Sequence, residues 1–376
     1  MEKVKLDFAE RTLNPFNQLS KKVSLLSLAL ASCLPVYAQA DNVVLQTEKK
    51  LLSGLHAMQS LSMDDALDDF STLSDEHPNY KLVQLLKADL LAIKAGKKSL
   101  SDGIHRRNPK TTGRLKDEAQ VRWQFSQASQ LDNFGFENYV LKTAEQSHLM
   151  LVSLSESRIY IYQRDESGKM QNVADYYVSM GRKGSGKQKE GDLRTPVGVY
   201  HVVDLLPDSD LPDLYGVGAL PLNYPNQWDL EHGKTGSGIW LHGTPRDTYI
   251  RAPKASRGCV VLNNQAMQTL LAEYKFPFAT PVLIVDDREQ LLTEPQPKIK
   301  ELLLTDVKSW LHENYVGVSW DKVSVYRYPN EDNLVYVTFP AEAEGEIIHQ
   351  YWQLNDDGAL KLVKQSQEPV QSKKQA

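Results

Sequence analysis

The sequence predicts a multi-domain α+β protein, in which a helical N-terminal region precedes a mostly β central domain and a small α+β C-terminal domain. Three observations lead to this fold class. The chain has 376 residues, more than one hydrophobic core usually serves. The spacing of apolar residues changes from a helical to a strand period at His148. A charged, proline-containing linker at 286–300 then precedes one helical stripe and several alternating segments.

Residues 1–40 have the composition of an export signal. A pair of lysines precedes the apolar run 23–30, and an Ala-Gln-Ala sequence ends the segment at Ala40. The run is too short to span a bilayer as a mature helix. We therefore predict a periplasmic protein with no transmembrane segment in the mature chain. A lipoprotein anchor at Cys33 is the alternative that we expect less.

Removal of this signal leaves Cys259 as the single cysteine, so the mature chain is expected to form no internal disulfide. Lys plus Arg number 43 against 48 Asp plus Glu, and this near balance gives no electrostatic reason to expect nucleic acid as a partner. The sequence has no cysteine pair and no His-x-x-x-His spacing. We therefore expect no metal site.

Residues 41–147 are predicted to form a helical N-terminal domain. Two apolar stripes at helical spacing lead to this prediction: Ala66, Phe70 and Leu73, and then Leu82, Leu86, Leu90 and Ile93. The stretch 97–114 is polar and basic, and we expect a loop there. Three roles are open for this domain: dimerisation, which would give a homodimer, docking of a partner, and simple packing.

Residues 148–286 are predicted to form the mostly β domain. Alternating segments at 148–154 and 158–163 flank a polar turn, which is typical of a hairpin. Further strand-like segments, separated by loops rich in glycine and proline, are Tyr176–Met180, Gly198–Val203, Gly238–His242 and Pro281–Val285.

Residues 298–364 are predicted to form the C-terminal module, and residues 365–376 a disordered tail. The helical stripe is Leu303, Val307, Trp310 and Leu311, and the alternating segments that follow are 322–328, 334–339 and 347–354. For the aromatic residues of this module we expect core packing rather than a ligand cavity: Trp320, Tyr326, Tyr328, Tyr336 and Trp352.

A cysteine between a glycine and an apolar run is the first feature that suggests chemistry. Gly258 precedes Cys259 and the run 260–262 follows, so the thiol is expected where a tight loop enters a buried element. The missing side chain lets a substrate carbonyl approach the backbone, and amides beside the nucleophile can bind the oxyanion that forms on attack. A thiol is mostly protonated at neutral pH, so it needs an imidazole or another positive group nearby.

His242 is the best placed of the nine histidines to activate this thiol. The apolar segment 239–241 is expected to form a strand that delivers His242 and Gly243 to a loop. Residues 243–258 are polar and irregular, and they are long enough to fold out and bring both ends together. A lone histidine at a strand end is more often structural, but the paired cysteine loop favours His242 as a base and Cys259 as a nucleophile.

The dipeptide His-Gly at 242–243, followed by Ser-x-Gly-Cys at 256–259, resembles the signature of the L,D-transpeptidase family. The upstream runs 181–184 and 194–198 are similar to that family's substrate-side loop and strand. The resemblance covers about 148–286. It implies the family's β-sandwich-like catalytic domain, peptidoglycan stem peptides as substrate, no cofactor, and a glycine carbonyl in the His-Gly dipeptide that orients the histidine.

The sequence departs from the family pattern at two positions. Arg257 stands where many members have a second histidine, and Val261 stands where many have a substrate-binding arginine. We expect Ser256, Arg257 and Gly258 to contact the substrate. Whether Arg257 replaces the lost carboxylate clamp or is a solvated loop charge is open. Three further features could shape the cleft without a motif that assigns them: Tyr224, Trp228 and the loop around Lys234.

The order of domains resembles a subset of the family that has a nuclear-transport-factor-2-like C-terminal domain. The resemblance implies that the Cys259 thiolate attacks the carbonyl between the third-position diamino acid and D-alanine, which leaves a thioester. An amine acceptor gives an L,D-transpeptidase. Water as acceptor gives an L,D-carboxypeptidase that trims tetrapeptides to tripeptides. A non-catalytic scaffold that binds cell wall is the third alternative, and the presence of Cys259 and His242 argues against it.

Overall fold

The computed structural model describes the chain from residue 38 to residue 369 with short gaps. The predicted signal up to residue 37, with Cys33, lies outside the described residues, as does the tail from residue 370. The described ranges are 38–127, 134–274, 276–287, 295–315, 317–341, 345–356 and 358–369. Within these ranges, no helix is long and apolar enough to cross a membrane.

The N-terminal region is helical, as predicted. Its helices are α1 (Ala38–Gln59), α2 (Met63–Glu76), α3 (Lys81–Lys94), α4 (Leu100–Arg107), α5 (Pro109–Gln127) and α6 (Phe134–Tyr139). Phe70 and Leu73 of α2 and Leu82 and Leu90 of α3 are buried together, which confirms the first apolar stripe and most of the second. Ile93, the last residue predicted for the second stripe, is exposed. Leu51 of α1 completes this small core.

Two helices occupy the basic stretch that the sequence predicts to be a loop. Because α4 ends at Arg107 and α5 begins at Pro109, the predicted loop at 97–114 is wrong over most of its length. Proline is favourable at the first helical position, where its missing amide hydrogen would have no partner anyway. The Asn108 side chain accepts a hydrogen bond from the Thr111 amide at 3.2 Å. The basic composition of this stretch is therefore that of a helix surface and not that of a loop.

The central domain is a sandwich of two main sheets with two short helices. In chain order its elements are β2 (His148–Ser153), β3 (Arg158–Arg164), β4 (Met170–Tyr177), β5 (Met180–Gly181), β6 (Gly198–His201), β7 (Leu206–Pro207), β8 (Gly218–Pro221), α7 (Gln227–Glu231), β9 (Trp240–His242), β10 (Lys254–Ser256), β11 (Val260–Val261), α8 (Asn264–Thr269) and β12 (Pro281–Val285). Strand β1 (Val140–Lys142) precedes them but pairs elsewhere. The predicted hairpin at 148–163 is confirmed as β2 and β3.

One sheet has the strand order β4-β3-β2-β12-β6 and the other the order β11-β9-β8-β7, while β5 and β10 form a separate pair. Met150 and Ile161 of the first sheet share a buried core with Leu220 and Leu241 of the second and Met267 of α8. The multi-domain α+β fold class and the mostly β, sandwich-like central domain are therefore confirmed. The second sheet carries the parallel pair β9 and β11 that positions the candidate site.

The C-terminal module is a helix followed by an antiparallel meander, as predicted. It contains α9 (Pro297–Asn314), β13 (Ser324–Arg327), β14 (Leu334–Pro340), β15 (Glu346–Leu354) and β16 (Leu360–Pro369). The sheet order is β1-β13-β14-β15-β16, so β1 joins this module although it lies far away in sequence. Leu303, Val307 and Leu311 of α9 are buried on this sheet, which confirms the helical stripe.

The expected disordered tail at 365–376 is wrong for its first residues. Strand β16 continues to Pro369 and pairs with β15 along nearly its whole length. Its residues alternate between half-buried and exposed, so the polar composition is that of an edge strand with one solvated face. Backbone pairing stabilises a polar segment that its side chains alone would leave unfolded.

Tyr326, Tyr328, Tyr336 and Trp352 are buried in the core, which confirms the packing role expected for them. Trp320 is half-buried at the edge of the same module.

Candidate active site

Two neighbouring strands bring the Cys-containing loop next to the strand that ends in His242. Strand β11 lies parallel to β9, with Val260 opposite Leu241 and Val261 opposite His242. Cys259 immediately precedes β11, while residues 243–258 fold out as an irregular connection that contains only the short strand β10. The two side chains line one cleft of about 540 Å³.

The His242 ring is buried, and the backbone carbonyls of Gly243 and Tyr215 interact with it. Its Nδ1 donates to the carbonyl oxygen of Gly243 at 2.6 Å, since a carbonyl can only accept, and Nε2 therefore carries the lone pair. Burial lowers the pKa of His242 to about 4, the charge of Arg251 lowers it further, and the carbonyls of Gly243 and Tyr215 oppose the shift. The imidazole is neutral at pH 7 and available as a base.

Gly243 occupies a position that only glycine fits. A Cβ built there would lie 2.2 Å from the side-chain oxygen of Asn264. That oxygen accepts a hydrogen bond from the Thr244 amide at 3.0 Å, so the carbonyl beside His242 is fixed by the start of α8. The resemblance implied a Gly243 carbonyl that orients the histidine, and the hydrogen bond is present; the role in catalysis stays a prediction.

Cys259 is half-buried and in the thiol form at rest. Its Sγ donates to the carbonyl oxygen of Gly238 at 3.3 Å. Burial raises the pKa of the Cys259 thiol, while the Trp240 amide and the charges of Arg251 and Lys187 act in the opposite direction. Because the thiol is protonated and the imidazole is neutral, a proton has to move between them when the sulfur attacks.

The loop before the cysteine is closed by its own hydroxyl group. Ser256 Oγ accepts from the Gly258 amide at 3.0 Å and donates to the Cys259 carbonyl at 2.6 Å. Ser256 is 2% exposed and lies in the lining of the cleft, where it shapes this loop from inside. Its expected contact with the substrate stays a prediction. The same bond engages the Gly258 amide, one of the amides expected to bind an oxyanion.

The strand motif upstream is tied directly to this loop. Thr195 Oγ1 accepts from the Gly181 amide at 2.9 Å and donates to the Gly258 carbonyl at 2.8 Å. Gly258 has φ 138°, and a Cβ there would lie 2.8 Å from the carbonyl oxygen of Arg194. The motif segments at 181–184 and 194–198, which the sequence associates with the cysteine loop, are therefore in contact with it.

Arginine residues surround the thiol, and sequence reasoning found only some of them. Arg257 is exposed and lines the cleft, as expected. Arg182 donates from Nε to the Ala255 carbonyl at 3.1 Å and lines the same cleft. Arg251 was missed because no motif contains it. Burial lowers the pKa of Arg251, and the nearby Cys259 opposes the shift, which identifies it as a cation close to the sulfur.

Tyr224, Trp228 and Lys234 do not line the cleft that holds Cys259. Trp228 stacks on Tyr351 of the C-terminal sheet at 5.3 Å between ring centroids. Lys234 pairs with the buried Asp229 at 2.9 Å. These side chains fix α7 and the start of the loop that leads to the Gly238 carbonyl. In the part of the chain that the structure describes, no group of three His, Cys, Asp or Glu side chains is placed to bind a metal ion.

The family match of this chain falls on the central domain. The family model for the L,D-transpeptidase catalytic domain (YkuD) matches residues 147–284. YafK of Escherichia coli (strain K12), provisionally named an L,D-transpeptidase, is 29% identical over 133 residues, covering 31% of this chain and 46% of YafK. The chain thus matches about half the length of the curated relatives. These matches support an L,D-transpeptidase catalytic domain in this segment.

Two solved structures align with part of this chain. A point mutant of the helical cell shape determining protein Pgp2 of Campylobacter jejuni is 20% identical, with a TM-score of 0.47, over 63% of this chain and 98% of that chain. Bd1075 of Bdellovibrio bacteriovorus is 22% identical, with a TM-score of 0.44, over 62% of this chain and 98% of that chain.

Proposed function

We propose that this chain is a cysteine L,D-transpeptidase acting on peptidoglycan stem peptides, with Cys259 as nucleophile and His242 as base. One observation carries the proposal: a neutral imidazole, fixed at Nδ1 by Gly243, shares an open cleft with a protonated thiol inside the segment that matches the L,D-transpeptidase catalytic domain. The arrangement supplies a nucleophile and a proton acceptor without requiring a cofactor.

In the proposed reaction, His242 Nε2 takes the thiol proton as Sγ attacks the carbonyl between the third-position diamino acid and D-alanine. The carbon–nitrogen bond breaks, the imidazolium gives its proton to the leaving D-alanine amine, and a thioester remains on Cys259. Arg251 lies close enough to the sulfur to favour the thiolate as it forms. An amine of a second stem peptide then displaces the sulfur and forms a cross-link.

Water as the second acceptor would make the same chain an L,D-carboxypeptidase. Both reactions pass through the same thioester on Cys259. The reaction products therefore distinguish them, whereas the residues of the site do not. Incubation of the full chain with purified tetrapeptide muropeptides distinguishes them, because hydrolysis gives tripeptides and transfer gives dimers.

Variants of the two central residues test the proposal. Cys259→Ala is expected to abolish both the thioester, read as an adduct in the intact mass, and all product. His242→Gln is expected to lower kcat roughly 100- to 10,000-fold, the usual contribution of general base catalysis. His312→Gln removes an exposed histidine of α9 and serves as the matched control with unchanged activity. Product formation by Cys259→Ala would sink the proposal, and a chain that only binds cell wall would leave all three variants alike.

We further propose that the chain is exported to the periplasm and that the C-terminal helix and meander belong to the nuclear-transport-factor-2-like subset. The basic, apolar and small-residue order of the N-terminal segment supports export. A homodimer through the N-terminal helices stays a prediction, which sedimentation velocity of the mature chain would test; a monomer at micromolar concentration would contradict it.

A further inference from the structure

The cleft around Cys259 has one wall that the catalytic domain does not supply. Helix α3 begins at Lys81, and helix α5 contributes Thr111, Arg114 and Leu115, all on the N-terminal side of the same cleft. The opposite side is formed by the cysteine loop and the residues before it. The helical region therefore borders the place where a substrate would lie.

This cleft is rich in cations that no carboxylate neutralises. Its lining contains Lys81 and Arg114 from the helical wall, and Arg182, Arg251 and Arg257 from the catalytic side. Among the residues that the structure describes, no carboxylate lies within 4.0 Å of any of these five cations. Arg246, outside the cleft, shows the contrast because it pairs with both Asp208 and Asp213. The whole chain has a net charge of −5, so the positive cleft is a local feature.

Glu118 is the one acidic residue of the lining, and it does not neutralise the wall. It is 2% exposed. Its Oε1 accepts from the Tyr80 hydroxyl at 3.0 Å and from Arg122 Nε at 3.3 Å. Because the carboxylate is engaged by these buried partners, it makes no ion pair with the cations of the wall.

The same contacts fix the backbone that carries the two wall cations. Tyr80, the residue before Lys81, is buried and stacks on Tyr249 of the loop between His242 and Cys259, with 4.5 Å between ring centroids. Arg114 lies one helical turn before Glu118, which is bonded to Tyr80. The backbone that carries both cations is therefore anchored by buried neighbours, one of which stacks on the loop before Cys259.

We propose that the helical N-terminal region forms one wall of the substrate cleft, and that Lys81 and Arg114 bind a second carboxylate of an acidic peptide while the catalytic-side arginines bind the carboxylate next to the scissile bond. Two cation groups on opposite walls suit a ligand with two separated carboxylates. The inference rests on the proposed function, because it assigns an additional contact to the same substrate.

Binding to the full chain with Cys259→Ala tests this proposal without turnover. The probes are a synthetic stem tetrapeptide with free carboxylates and the same peptide amidated at every carboxylate except the C-terminal one. We expect the parent to bind the free-acid peptide about tenfold more tightly for each cation engaged, as measured by calorimetry. The double variant Lys81→Gln/Arg114→Gln should bind both peptides equally. Lys116→Gln removes an exposed, unpaired charge of α5 that does not line the cleft, and it should behave like the parent.

A double variant that keeps the full preference for the free-acid peptide overturns the inference. If the parent binds neither peptide, the proposed substrate is wrong. Alkylation of Cys259 then tests separately whether Lys81 and Arg114 form an anion-binding wall. In the chain with Cys259, iodoacetate carries a negative charge and iodoacetamide does not, and the labelling rates are read at the Cys259 peptide by mass spectrometry. The ratio of the iodoacetate rate to the iodoacetamide rate measures the attraction of an anion to the cleft. A decrease of this ratio by about half or more in the double variant supports an anion-binding wall. An unchanged rate ratio overturns it.

Discussion

The catalytic domain has two neighbours, and it contacts them with different chemistry. Toward the N-terminal helices the contact is centred on buried ions, beside the stack of Tyr80 on Tyr249. Toward the C-terminal sheet it is centred on a buried cluster of aromatic and apolar side chains. A charged contact depends on every partner being present, because a buried ion left alone is costly, whereas an apolar contact loses stability in proportion to the area removed.

Arg122 of α5 is the centre of the charged interface. It is 4% exposed and bonds to both Glu48 of α1 and Glu118. Arg158 of β3 contacts Glu48 at 3.4 Å and so links the catalytic domain to the helices. Burial alone would raise the pKa of Glu48, but the charges of Arg122 and Arg158 outweigh it and lower that pKa. Glu48 is therefore ionised, and the interface is a network of charges.

The C-terminal interface is continuous with the core of the catalytic domain. Leu149 and Leu283 of the central sheet share one buried cluster with Tyr328, Tyr336 and Tyr351 of the C-terminal sheet. Asn226 Nδ2 donates to the buried Tyr328 hydroxyl at 2.9 Å. Two part-buried hydrogen bonds end on carboxylates, from Trp228 Nε1 to Glu331 at 3.2 Å and from Gln227 Nε2 to Glu368 at 2.7 Å. The two modules are thus expected to unfold together, while the helical region is expected to detach separately.

Removal of the central arginine should give the largest effect. Arg122→Met leaves two buried carboxylates without their main counterion, and the expected cost is about 3–5 kcal/mol. Deuterium exchange measured by mass spectrometry should increase in α1 and α5 and remain unchanged in β13–β16. Arg106→Met, at an exposed arginine of α4, is the matched control. Equal exchange increases in all three regions would contradict the separation of the two interfaces.

Acid should weaken the C-terminal interface before it weakens the ionic N-terminal interface. His201 and His349 stack there at 5.6 Å between centroids, and burial lowers the pKa of His201 to about 3 and that of His349 to about 4. Since both folded pKa values lie below the unfolded value near 6.5, their contribution is complete above about pH 6.5 and is lost as the pH falls toward 4. The loss is up to about 1.4 kcal/mol per pH unit for each histidine.

Urea unfolding at pH 7, 6 and 5 measures this slope. His201→Phe keeps a ring in the stack and should reduce the dependence of the unfolding free energy on pH. His312→Phe, at an exposed site, should leave this dependence unchanged. The folded pKa of Glu48 is lower than the ordinary value of 4.5, so the stability that ionised Glu48 contributes is lost only as the pH falls below 4.5. A slope that is unchanged in His201→Phe would rule out this histidine as its source.

Tyr328→Phe should give the smallest effect. The hydroxyl accepts one bond from Asn226, and that amide keeps a second acceptor in the Val199 carbonyl at 3.0 Å. The expected loss is about 1 kcal/mol, the net value of one buried hydrogen bond. Urea unfolding measures it, with Tyr326→Phe as a second buried hydroxyl whose partner is Gln146. A loss of unfolding free energy above about 3 kcal/mol would show that the substitution disrupts the surrounding hydrogen-bond network and not only one bond.

Local patterns predicted the elements that local interactions form. The hairpin of β2 and β3 and the strand before His242 follow from periodicity, and the His-Gly and Ser-x-Gly-Cys motifs marked the residues that the cleft brings together. Contacts between distant segments were not predictable in this way. Strand β1 pairs with β13 across most of the chain, and Arg251 reaches the sulfur from a loop with no motif.

Composition was a poor guide where tertiary contacts decide the structure. The basic stretch at 97–114 is largely helical because Pro109 and Asn108 begin α5, and the polar end of β16 is ordered because β15 pairs with it. The position of Lys81 and Arg114 beside the cysteine cleft depends on how a whole domain packs, which no single segment of sequence encodes.

The hydrogen bond from the Cys259 thiol to the Gly238 carbonyl has a consequence for chemical damage. Peroxides and other oxidants react with the thiolate far faster than with the thiol, and the first product is a sulfenic acid. A sulfur that donates its proton to a carbonyl, and whose pKa burial raises, stays in the slow-reacting form. The Cys259 thiol therefore lies in an open cleft in a resting state that resists oxidation.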